Sequence, residues 1–279
     1  MQKLIIFLVV SCLFGQKTIS QELYVFTEPA SNMASNSIST KLTYRIPGRK
    51  LNNDYKQRCT PEIMIGLNKH WMVHVSGSFS DFYTSQLRWE SVKSYAKYRF
   101  YSNDDVHKHF RMAAFAEASY SRSPFYYGDI NLDGDNSGVQ AGIIATQLVN
   151  KLAISATTSV IKVFANRDLH VVQMGQSINA LYYSLSAGYL LLPFNYTNYN
   201  QTNLNIYFET IGMKGFDKGD YMLDLAPALQ IIFNSNFKVS LGTRLQVAGN
   251  MEKIGKNNYF INLERTFLGA LKHKKNSRK

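Results

Sequence analysis

The sequence predicts an all-β protein, a transmembrane antiparallel up-and-down β-barrel of about twelve strands. Three observations predict it. Segments of roughly nine to thirteen residues alternate apolar and polar side chains again and again. Tight-turn sequences follow only even-numbered segments, while longer polar connections follow the odd ones. The amino terminus has the layout of an export signal.

That start reads MQKLIIFLVVSCLFGQKTISQE. A basic Lys3 precedes an apolar run, Leu4 to Phe14, and Thr18-Ile19-Ser20 offers small residues for cleavage. The run is about half of the ~20 residues that a spanning helix needs. Residues 1–20 are therefore expected to be a signal peptide, with Gln21 the new terminus. Val9-Val10-Ser11-Cys12 also has the form of a lipoprotein box, but the apolar run continues past Cys12. Loss of Lys3 and Lys17 lowers the net charge from +12 to +10. Cys59 is then the single cysteine, so no internal disulfide holds the fold. Export argues against nucleic acid as the partner of this basic chain.

Residues 21–36 read as a lead segment, periplasmic or tucked into a lumen. The expected strands follow as Ser37–Pro47, Thr60–Leu67, Trp71–Phe79, Glu90–Tyr101, His109–Ser121 and Gly138–Val149. The rest are Leu152–Val163, Ile178–Leu191, Leu204–Met213, Tyr221–Phe233, Phe237–Ala248 and Tyr259–Leu268. The boundaries admit roughly ten to fourteen strands. In the first, Ile38, Leu42, Tyr44 and Ile46 oppose Ser39, Lys41, Thr43 and Arg45. In SVKSYAKYRFY, Val92, Ala96, Tyr98 and Phe100 oppose Lys93, Lys97 and Arg99. The sixth, GVQAGIIATQLV, alternates poorly and its faces stay unassigned.

Asn68-Lys69-His70, Asn150-Lys151 and Asn234-Ser235-Asn236 are the tight turns. SNDDVHK and PFNYTNYNQTN break the parity of short and long connections. A tilted spanning strand takes about 9–11 residues, longer than an ordinary globular strand. In lipid an open sheet edge is costly, so such a sheet must close. Apolar side chains then face outward, and aromatic residues near strand ends (Tyr44, Phe79, Phe100, Tyr120, Tyr221, Phe237, Tyr259 and Phe267) form interfacial girdles. A soluble secreted sandwich is the competing reading, since it too alternates.

The polar face supplies the candidate lumen. Its bases are Lys41, Arg45, Lys93, Lys97, Arg99, Arg111, Lys238 and Arg244; its acids are Glu62, Glu117, Glu209, Asp224 and Glu264. The bases outnumber the acids, which predicts a positive interior.

Signal, strands and the C-terminal YFINLERTFL together resemble an outer-membrane β-barrel protein of a Gram-negative bacterium. QELYVFTEPASNMASNSISTKLTYRI and GDNSGVQAGIIATQLVNKLAISATTS are similar to uncharacterised outer-membrane proteins of the Bacteroidota. The resemblance implies an outer-membrane location, with residues 37–268 as the barrel and 269–279 as a basic tail. Some such proteins accompany metal-resistance genes.

DINLDGDNSGVQ opens like a calcium loop, with Asp129, Asn131, Asp133 and Asp135 as candidate Ca2+ ligands. Its twelfth position is Gln140 rather than glutamate, and no helix flanks it; a polar hairpin loop is the simpler reading. Spacing places His70 with His74, and His107 with His109, on common faces. No zinc spacing accompanies them. Asp168, His170 and Ser177 share a loop, but nothing marks them as a catalytic set, so no enzyme activity is expected. The expected protein is a monomer among outer-membrane lipids, a channel or transporter for a small and anion-leaning solute. The alternatives are a non-conducting structural or surface-binding barrel, linked to metal resistance, and a lipid-modifying barrel enzyme.

Overall fold

The computed structural model describes residues 24–48, 50–51, 54–106, 108–123, 130–164, 177–194 and 200–272. The expected signal peptide, with Cys12, lies outside these residues, as do His107, Asp129, Asp168, His170 and the tail beyond Lys272.

The strands run in chain order as β1 (Ser37–Pro47), β2 (Lys50–Leu51), β3 (Asp54–Tyr55), β4 (Arg58–Gly66), β5 (Trp71–Ser80), β6 (Arg88–Asp104) and β7 (Lys108–Ser121). They continue as β8 (Gly138–Val149), β9 (Leu152–Val163), β10 (Asn179–Leu192), β11 (Asn203–Gly215), β12 (Tyr221–Phe233), β13 (Phe237–Gly249) and β14 (Asn257–Phe267). Twelve of them close into one antiparallel barrel; β2 and β3 form a small separate hairpin in the first connection. Each barrel strand pairs with its chain neighbours. The ring is sealed where β1 meets β14, from Ile38 opposite Phe267 to Pro47 opposite Asn258. No sheet edge is left to compete for pairing.

Turn chemistry fixes one end of the barrel. Asn150 and Asn234 take positive φ values of 54° and 48°, the left-handed region that asparagine tolerates, and close the β8–β9 and β12–β13 hairpins. The β4–β5 turn is held by Asn68, whose side-chain oxygen accepts the backbone N–H groups of His70 and Trp71. SNDDVHK, which looks like a longer connection, is mostly strand. Here β6 runs on to Asp104, and β7 begins at Lys108, so this hairpin too is short. PFNYTNYNQTN remains the long exception at this end.

The outer wall is apolar. Ile63, Val75, Val160, Leu185, Phe208, Leu229 and Leu241 all keep large side chains exposed, Leu185 by 56%. Such a continuous belt is the reverse of a water-soluble surface. Exposed aromatics band both ends: Phe79, Tyr120, Tyr221 and Tyr259 near the long connections, and Trp71, Tyr98, Phe100 and Phe267 near the short turns.

Inward, the wall is not uniformly polar, which is why the sixth expected strand resisted assignment. In β8, Gln140, Ile144, Thr146 and Leu148 are buried inward, while Val139, Ile143 and Val149 are exposed outward. Ile144 and Leu148 are covered almost entirely by other protein. Ile144 packs with Ala30, Tyr95, Ala113 and Phe115, and Leu148 with Tyr24, Val25 and Tyr207. A segment of the chain therefore lies inside the barrel.

Candidate functional site: the filled lumen

That segment is the lead, residues 24–36. It enters at the short-turn end, where Asn36 donates its backbone N–H to the Gly66 carbonyl, and threads back into the barrel. A segment with no sheet partner must place its backbone polar groups elsewhere, and side chains of the wall take many of them. The Glu209 carboxylate accepts the N–H groups of Val25, Phe26 and Thr27 at 2.9, 3.0 and 2.9 Å. Thr146 Oγ1 accepts from Ala30 at 2.8 Å. Lys97 donates to the carbonyls of Pro29 and Ser31 at 2.7 and 3.0 Å and lies 3.3 Å from Glu28. Arg111 donates to Ser31 Oγ at 2.8 Å and is paired with Asp104. Phe26 meets Phe260 edge-on, and Tyr24 meets Tyr207, beside Gly188, where any side chain would strike the Tyr207 ring. Gly66 is needed for the same reason: a Cβ there would stand 2.3 Å from the Ala34 carbonyl oxygen.

The opposite end is narrowed by its own connections. Ile130 and Leu132, from the loop after β7, and Met251, from the loop after β13, pack on Ile161, Val163, Met213 and Met222 of the inner wall. Arg58 anchors the first of these loops. It is 1% exposed, pairs with Glu90 at 3.0 Å and with Asp135 through both terminal nitrogens, and stacks 4.3 Å from the Phe82 ring. Lys93 pairs with Asp133 and, at 3.5 Å, with Glu117. Lys93 beside it holds the Asp133 carboxyl down to about 2. Burial pushes Asp135 up, but the Arg58 guanidinium and its hydrogen bonds hold that carboxyl below its ordinary value.

Between lead and loops lies a cavity of about 290 Å3. Lys41, Arg45, Glu62, Lys93, Glu117 and Arg244 border it from the wall; Glu28, Asp133, Asp135 and Lys253 border it from the inserted segments. A smaller cavity of about 60 Å3 lies toward the short turns, beside Met33, Met64, Met72, Lys238 and Glu264. Val25, Glu28, Lys41 and Asn262 border both, so they form the neck between them.

The expected lumen residues fall into separate groups. Lys41 pairs with Glu62 at 3.5 Å, and Glu62 also meets His74 Nδ1 at 3.0 Å. Lys238 pairs with Glu264 at 2.7 Å in the lower cavity. Arg244 and Lys253 share Asp224. Lys97, Arg111 and Glu209 hold the lead. Arg99 points inward at the short-turn end, where its carbonyl lies 2.9 Å from His70 Nδ1; it does not border the large cavity. His70 sits in a turn and His74 inside the wall, so the expected same-face pair is not formed. His109 lies 3.1 Å from Asp104.

Of the calcium-loop residues, Asn131 donates to Asp135, Asp133 pairs with Lys93 and Asp135 with Arg58. Among the described residues no group of three His, Cys, Asp or Glu is gathered as for a metal.

Sequence reasoning missed Glu28, Arg58, Glu90 and Lys253. One further step of the alternation from Thr60 reaches Arg58. Glu90 is hidden by a bulge: Ser78 opposes Ser91 and Phe79 opposes Trp89, so Glu90 is the extra residue and turns inward with Ser91. With these residues and the loop aspartates, the described interior residues named here comprise ten bases against nine acids. The expected excess of positive charge is almost cancelled. Among the described residues Arg45 borders the cavity with no carboxylate within 4 Å, whereas Lys41, Lys93, Arg244 and Lys253 each have one.

No protein-family model and no curated protein matches this sequence. Solved structures do share its shape. An outer membrane channel of the COG4313 type from Pseudomonas putida F1 superposes with a TM-score of 0.58 at 12% identity, over 88% of this chain and 100% of that one. The KdgM porin gives a TM-score of 0.50 at 10% identity, over 81% of this chain and 99% of that one. At such identities the likeness is one of fold, and the chain has the closed antiparallel β-barrel fold found in bacterial outer-membrane channels and porins.

Proposed function

We propose that this protein is an outer-membrane channel for a small solute, constricted by its own amino-terminal lead. One observation carries the reading: a closed barrel, apolar outside, encloses a cavity bordered by charged side chains. In lipid an apolar belt needs no further partner, and an ion-lined interior serves passage better than stability, because buried ion pairs contribute little net stabilisation. The two cavities meeting at Lys41, Glu28 and Asn262 mark the route, and the neck between them sets its limit. The fold shared with known channels agrees with this reading.

A second reading is a non-conducting barrel with a structural or surface-binding role. The lead favours it, since Glu209, Lys97, Arg111 and Thr146 all bind its backbone or side chains. Conductance in planar bilayers separates the two. A channel gives discrete openings that grow in a form lacking residues 24–34. No openings at any voltage, in either form, would leave the structural reading.

A further inference from the structure

The large cavity has two unlike halves, and the barrel order separates them. From β13 through β14 and β1 to β7 its wall presents charged and polar groups, among them Arg244, Arg45, Lys41 and Glu117. The same half also carries Tyr95, Phe115 and Phe260, while from β8 to β12 the wall is mainly apolar, with Ile144, Ile161, Tyr182, Ile211, Met213 and Met222 beside Gln140 and Thr157. A water-filled pore has no use for an apolar arc, because barrels that only pass water and ions are polar inside. Part of the arc seats the inserted loops through Ile130, Leu132 and Met251. Of the remainder, Tyr182 is the partly exposed side chain that borders open space.

Facing that space is Arg45, half-buried and lacking a carboxylate partner within 4 Å among the described residues. Its guanidinium carbon lies 5.8 Å from the centre of the Phe82 ring. The other cations of the cavity already have acids. Guanidinium binds carboxylate through two parallel hydrogen bonds, and apolar walls take the body of a ligand.

We propose that this cavity is a binding site for a small monocarboxylate with an apolar body of about one aromatic ring. The carboxylate pairs with Arg45, and the body lies against Tyr182, beside Ile211 on the neighbouring strand. A volume of about 290 Å3 admits one such molecule. A second carboxylate on the ligand is disfavoured by Glu62, Glu117, Asp133 and Asp135 around the same space. The inference rests on the channel reading only for how the ligand arrives; binding itself needs the cavity alone.

The test is calorimetric titration of the full barrel in detergent with 3-phenylpropionate, its neutral amide, and acetate. The acid should bind about tenfold more tightly than the amide, and acetate should show no saturable binding. Arg45→Gln should bring the acid to the level of the amide, with Arg45→Lys in between, while heat-modifiable gel mobility reports an intact barrel. Tyr182→Ser should weaken acid and amide alike. Equal binding of acid and amide, or an Arg45→Gln form that still prefers the acid, overturns the assignment. Conductance without 3-phenylpropionate binding removes this site and leaves the channel. Binding without conductance removes the channel and leaves this site.

Discussion

The Glu209 carboxylate stands 2.9 Å from the backbone nitrogen of Val25, across 184 residues of sequence. It holds Phe26 and Thr27 as well, so one fully buried side chain fixes the inner end of the described lead within the barrel. Glu209→Ala leaves three N–H groups without this acceptor, those of Val25 and Thr27 buried and that of Phe26 partly so, at roughly 1–3 kcal/mol for each buried one. The lead is then released. Single-channel recording should show open time rising by at least about tenfold, since each ~1.4 kcal/mol shifts an equilibrium tenfold. Unchanged gating would mean that Glu209 does not hold it.

Gly66→Ala tests the same segment from the other side. The new methyl would stand 2.3 Å from the Ala34 carbonyl oxygen and 2.8 Å from Met33 Cγ, and backbone cannot yield as a side-chain end can. We expect protease cleavage within residues 24–36 to quicken while heat-modifiable mobility of the barrel stays normal. Equal cleavage rates would place the lead outside the lumen.

Arg58 is the buried cation between Glu90 and Asp135. Arg58→Met strands two acids in a low-dielectric interior, which costs about 3–5 kcal/mol when one partner of a buried pair is removed. The urea midpoint of unfolding, followed by gel mobility, should fall accordingly. Adding Glu90→Gln and Asp135→Asn should restore part of it.

The Asp133–Lys93 pair sets a pH window. Its folded carboxyl is held near 2, below the ordinary carboxylate value of about 3.9. A depressed folded value contributes stability above the unfolded value and loses it as pH falls through the folded one. The carboxylate is 60% exposed to the cavity, so the contribution is screened. Protease protection of residues 130–136 should therefore hold from pH 7 to about 5 and weaken only below about 4. Weakening between pH 7 and 5 would assign the loop's anchoring to another group.

Leu185 lies midway along β10 on the outward face. Leu185→Arg should destabilise the barrel in bilayers by about 2–4 kcal/mol, the cost of a cation at the bilayer midplane. Measured in lipid vesicles by urea titration, an effect near zero would mean that this face meets water.

The wall was legible because strand period and turn residues are local properties. Lys41, Lys93 and Lys238 alternate with Leu42, Val92 and Val239 wherever the chain is read, and Asn150 makes its turn whatever the rest of the molecule does. Three features broke that logic. In β8, Ile144 and Leu148 are apolar on the inner face because they meet the lead. Glu90 turns inward only because a bulge shifts the parity of β6. Asp133 and Asp135 meet Lys93 and Arg58, partners that no local pattern announces.

The sequence alone therefore determined a twelve-strand wall with apolar residues outward, since alternation along a strand fixes which side chains share a face. What occupies the interior was decided only in three dimensions. The lead has no periodicity of its own to announce its position. Glu209, Lys97 and Thr146 reach it from β11, β6 and β8, distant in sequence and gathered only when the sheet closes.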